Sequence, residues 1–179
     1  MPDALPVLTA AWIVLLTLPA AVSDARGGTI PNWLTLPTLA AAPLVAWWLV
    51  GSSAFGTALA GALVCGLVPL LLFRAGAGGG GDVKLLAALG ALGGARIGLE
   101  IQLTSFMLAT FWALGVLAWR RQLWAALGRA LLLLASPVLP ASLRARTRVD
   151  PAALTTVRLG PAVLAASVAV LAARNATWP

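Results

Sequence analysis

Six stretches of the chain, at about 5–23, 34–50, 54–73, 83–99, 101–119 and 158–173, are apolar almost without interruption. A helix needs about 20 such residues to cross the ~30 Å hydrocarbon layer of a bilayer. In lipid, every backbone N–H and C=O must be satisfied internally, so continuous apolar runs of this length fold as helices. Charge is scarce enough to agree: 61% of the 179 residues are hydrophobic and 9% are charged, against about 25% charged in a typical soluble domain. The expectation is an all-α membrane protein, a bundle of about six transmembrane helices. The first run is read as a membrane helix and not as a cleaved leader, because residues 1–6 carry no Lys or Arg.

The cations that punctuate these runs set the orientation. With the N-terminus outside, the inner connections and their flanks hold Arg26, Arg74, Lys84, Arg120, Arg121, Arg129, Arg144, Arg146, Arg148 and Arg158, while Arg96 and Arg174 fall outside. That asymmetry matches the excess of Lys and Arg on cytoplasmic loops, and places the segments at 24–33 and 74–82 on the cytoplasmic side. The net charge of +7 therefore reads as a topology signal. No basic stripe interleaved with aromatics is present, so nucleic acid is not an expected partner. The basic connection at 120–157 is expected in the cytoplasm, with an interfacial helix near Leu131–Leu134, which is too short to span. Residues 1–179 read as a single domain.

Missing residue types exclude much chemistry. The chain has no His and one cysteine, Cys65, which rules out a histidine-based zinc or nucleophile site and an internal disulfide. Cys65 lies in an apolar run and reads as a small packing residue. No metal or cofactor is expected. Carboxylates, hydroxyls or the one lysine must carry any reaction.

Of the five acidic residues, Asp3, Glu100 and Asp150 are assigned to termini or connections. Asp24 and Asp82 stand at junctions between an apolar run and a cytoplasmic segment, at the same membrane depth. Ionisable groups there are costly and mark function by default. Two carboxylates held within a few ångströms share one proton, the arrangement aspartic proteases use. The plainer alternatives are a helix cap for Asp82 and an interfacial pairing with Arg26 for Asp24. Ahead of Asp82, five of the six residues at 76–81 are glycine, a strip bare enough for an extended substrate backbone to lie against.

Asp24-Ala25-Arg26-Gly27-Gly28-Thr29-Ile30-Pro31-Asn32 resembles the first aspartate motif of the type IV prepilin peptidases. Gly79-Gly80-Gly81-Asp82-Val83-Lys84-Leu85 is similar to their second, a GxGD motif, and Leu159-Gly160-Pro161 to a third, weaker element. The two aspartates lie 58 residues apart. The resemblance implies an intramembrane aspartic endopeptidase of a prokaryotic cytoplasmic membrane. Its partner would be a prepilin-like, membrane-anchored precursor, whose basic leader is cut off on the cytoplasmic side. Asp24 and Asp82 would be catalytic, with Ile30, Pro31, Asn32, Gly79, Gly81 and Lys84 in support. Without the cysteine-bearing methyltransferase domain of larger members, the chain looks like the small form that serves tight-adherence pili or preflagellins. The alternatives are a small transporter or pilus-assembly subunit whose aspartates handle protons or a cation, and a protease pairing Lys84 with Ser23 or Ser105.

Overall fold

The computed structural model describes residues 4–76, 78–119, 121, 124, 128 and 158–176. Among them are five helices and no strand: α1 (Ala4–Gly27), α2 (Asn32–Val50), α3 (Ser52–Arg74), α4 (Gly80–Trp119) and α5 (Leu159–Ala176). The first four are long and apolar enough to cross a membrane, and the apolar part of α5, Leu159–Arg174, is shorter. The expected interfacial helix near residues 131–134 lies outside the described residues. The chain divides into two units, one of residues up to Leu108 together with those from Arg158 onward, the other Ala109–Val157. The hydrophobic core and both junction aspartates, Asp24 and Asp82, belong to the first unit.

The helices run beyond the apolar stretches that announce them. α1 continues to Gly27 and α4 begins at Gly80, so Asp24 and Asp82 lie within helical turns and not at junctions with loops. Backbone hydrogen bonding continues into polar sequence, where hydropathy falls away. The glycine strip shrinks accordingly, since Gly80 and Gly81 are already helical.

A second difference concerns the boundary between the fourth and fifth apolar runs. Hydropathy puts it near Glu100, but the non-helical residue is Gly94, at φ 71° and ψ 176°. This backbone region is open almost only to glycine. Helical segments 80–93 and 95–108 meet there, and they fold back on one another. A Cβ added to Gly98 would lie 2.8 Å from the Cα of Gly90, whereas eight residues of continuous helix would separate the two by about 12 Å. Glu100 is no interruption at all. It sits inside the second segment and receives Arg174 of α5 through both carboxylate oxygens at 2.8–2.9 Å, with Arg96 a turn away at 3.4 Å.

Small residues bring α3 against this fold-back. A Cβ on either Gly61 or Gly90 would collide with the backbone of the other, the close approach that lets apolar helices attract by packing alone. Cys65 fills the neighbouring space, fully buried, as its apolar surroundings predict. The core joins α1, α4, α5 and the α1–α2 connection through Ile13, Leu16, Ala20, Ile30, Leu85, Leu86, Leu89, Ile101 and Val163. Buried hydroxyls of Thr17, Ser105 and Ser167 donate to carbonyls four residues back, at Ile13, Ile101 and Val163, so none needs water inside the core. The opposite faces present Leu15, Leu63, Leu67 and Trp48 outward, a surface suited to lipid.

Candidate active site

Asp24 belongs to the inward stripe of α1. Ile13, Leu16, Thr17, Ala20 and Asp24 recur every three or four residues, and all are buried, so the stripe that packs the core ends in a carboxylate. Asp82 stands in a similar relation to α4, one turn ahead of the buried Leu85 and Leu86 and two ahead of Leu89. Each acid thus caps a row of leucine-like contacts and is directed by that row. The two carboxyl groups are near enough to interact electrostatically.

The local partners differ. The Oδ2 of Asp82 accepts the Gly79 N–H at 3.1 Å while the Asp82 N–H donates to the Gly79 carbonyl, also at 3.1 Å. That is the reach-back of a third-position carboxylate to the residue before a helix, one half of a capping box. The helix-cap alternative is therefore real, in a form that turns the carboxylate toward the glycine segment. Asp24, 7% exposed, accepts the Gly160 N–H on Oδ2 at 2.8 Å. Among the described residues its partner is this amide at the start of α5, and not Arg26.

The two motif segments interlock. Ile30 packs onto Gly81, where an added Cβ would stand 3.0 Å from the isoleucine Cβ and 3.4 Å from its backbone N. Two residues further along the first segment and three along the second, the Lys84 Nζ donates to Asn32 Oδ1 at 2.8 Å. Pro31 between them starts α2, its carbonyl accepting from the N–H groups of Leu34 and Thr35. The connection itself is closed by the Ser23 hydroxyl donating to the Thr29 carbonyl at 2.8 Å. Gly79 lies against Asp82, with 3.1 Å between an added Cβ and Oδ2. Ile30, Asn32, Gly79, Gly81, Asp82 and Lys84 thus each meet another residue of the two motifs, whereas the Asp24 carboxylate is held from α5.

Lys84 is engaged by an amide, Ser23 by the Thr29 carbonyl and Ser105 by the Ile101 carbonyl, so neither of these serines is paired with the lysine. Among the described residues no three His, Cys, Asp or Glu side chains gather as a metal site would need. An apolar groove lined by Leu18, Val22, Arg26, Trp33 and Leu34 lies nearby. Neither Asp24 nor Asp82 lines it, although Ser23, Gly27 and Pro31 of the first motif's surroundings do.

What sequence reasoning missed is the start of α5. The Arg158 guanidinium donates to the carbonyl of Asp24 at 2.7 Å and to that of Ala25, and Gly160 supplies the amide already described. The Leu159-Gly160-Pro161 element is the available signal, but nothing in it points to a residue more than 130 positions earlier.

Residues 9–114 match the model of the type IV leader peptidase family. No curated protein and no solved structure matches the chain.

Proposed function

Given that this chain belongs to the type IV leader peptidase family, we propose that Asp24 and Asp82 act as one aspartyl pair that cuts the leader from a prepilin-like precursor. One carboxylate takes a proton from a water as its oxygen attacks the scissile carbonyl carbon, and the other donates its proton to the carbonyl oxygen. Collapse of the tetrahedral intermediate breaks the C–N bond, and a proton from the pair passes to the leaving amine. Neither a histidine nor a metal enters these steps.

The observation that carries this reading is the interlock of the motif segments. Ile30 on Gly81 and Lys84 on Asn32 hold together the two stretches that bear the acids. A proton or cation relay needs two carboxylates, but gives no reason for Ile30-Pro31-Asn32 to be joined to Gly79–Lys84. The pair is assigned to the cytoplasmic end of a bundle of about six passes, with the N-terminus outside. The membrane is the cytoplasmic membrane of a prokaryote.

Cleavage of a peptide with a basic leader, a glycine and an apolar helix tests the assignment, in membranes carrying wild type, Asp24→Asn or Asp82→Asn. Asparagine keeps the size and an accepting oxygen but cannot share the proton. Each variant should lose at least about 10²–10⁴-fold in rate at unchanged expression. A variant that still cuts at the wild-type rate removes its aspartate from the mechanism.

A further inference from the structure

We infer that Arg158 and Gly160 are positioning residues for Asp24, and that the ends of α1 and α5 cap one another to aim it; this rests on the aspartyl pair proposed above. Asp24 lies near the end of α1, which closes at Gly27. There the Asp24 carbonyl accepts the Gly28 N–H at 2.8 Å, the carbonyls after it lack helical partners, and the helix dipole presents its negative end, an unfavourable place for a carboxylate. The start of α5 has the opposite deficiency, with unpartnered N–H groups and a positive end.

The structure sets these two ends together. Gly160, second residue of α5, gives its N–H to Asp24 Oδ2 at 2.8 Å. In return Arg158, just before α5, gives its guanidinium to the carbonyls of Asp24 and Ala25. Backbone and side chain of Asp24 are thus held from the same short segment, 134–136 residues away in sequence.

The fit leaves no room for a side chain at position 160. A Cβ there would stand 2.7 Å from the Asp24 Cβ, 2.9 Å from Oδ2 and 3.2 Å from the Ala21 Cα. With Oδ2 committed to the amide, Asp24 has Oδ1 for water and for Asp82. Loss of the clamp frees the carboxylate to rotate, which misaligns the reacting atoms without removing any group that touches substrate. The signature of such a residue is a fall in kcat with KM retained.

Gly160→Ala should abolish cleavage, but its clash can also impair folding, so Arg158 carries the test. Full-length Arg158→Ala, Arg158→Lys and Asp24→Asn proteins are purified in detergent, scored for folded yield, and assayed on the same leader peptide. Arg158→Ala is expected to lower kcat at least about tenfold with KM within about twofold of wild type. Arg158→Lys, whose ammonium still reaches a carbonyl, is expected to recover most of that loss. An unchanged kcat in Arg158→Ala, or a loss that tracks the folded fraction, overturns the positioning role; an inactive Asp24→Asn in that series leaves the aspartyl pair standing. An active Asp24→Asn instead removes the pair, and the positioning role with it.

Discussion

At the scale of single residues, the contact joining the two motif segments is both small and specific. Lys84 and Asn32 are both only partly shielded from solvent, so their hydrogen bond competes with water and contributes about 0.5–1.5 kcal/mol net. Lys84→Met keeps the apolar stem and removes the donor. Asn32→Leu removes the acceptor. In a double-mutant cycle read by thermal unfolding, the two losses should be less than additive by about that amount; full additivity would mean that the pair does not form. Gly81 presents the opposite case, a place where the space itself excludes a side chain. Its neighbour Ile30 is so close that even a methyl group must displace it, which makes Gly81→Leu the severe substitution and Gly80→Ala the mild one.

Among elements, α4 is the one whose internal geometry matters most. Gly94 holds a backbone conformation that costs a residue with a Cβ about 1–3 kcal/mol. Gly94→Ala should lower unfolding stability by that amount, although nothing lies within 4 Å of the added atom. A fully tolerated Gly94→Ala would argue against the fold-back. Both halves of α4 are legible as apolar runs, but hydropathy sets their boundary at Glu100, because a charge looks like the end of such a run. Pairing with Arg174 removes that argument, and the pairing is a tertiary contact that hydropathy does not contain. The stripes leading to Asp24 and Asp82 are legible in principle, since Ile13, Leu16, Thr17 and Ala20 keep the helical period up to the acid. The capping of α1 by α5 is not. Its donors are a backbone amide and an arginine that, along the sequence, looks like every other arginine assigned to the inner side.

For the whole molecule, the distribution of cations makes the orientation testable. In a Cys65→Ala background, Thr29→Cys and Ser52→Cys place single thiols at exposed positions on either side of α2. Membrane-impermeant maleimide applied from outside should label Ser52→Cys and spare Thr29→Cys, and inverted vesicles should reverse the pattern. Labelling of both from one side would mean that α2 does not cross. The two arginines assigned to the outer side are the ones bound to Glu100, so the exceptions to the charge asymmetry are partly neutralised where they stand. The chain contains a single lysine, and it is the one that ties the second motif segment to the first. Its ε-amine is therefore a native reporter: an amine-acylating reagent reacts at this one side chain, slowly while Asn32 holds it and faster whenever the two halves of the site part. The rate of that reaction, followed by mass spectrometry with and without a bound precursor peptide, would time the opening of the protein without any added label.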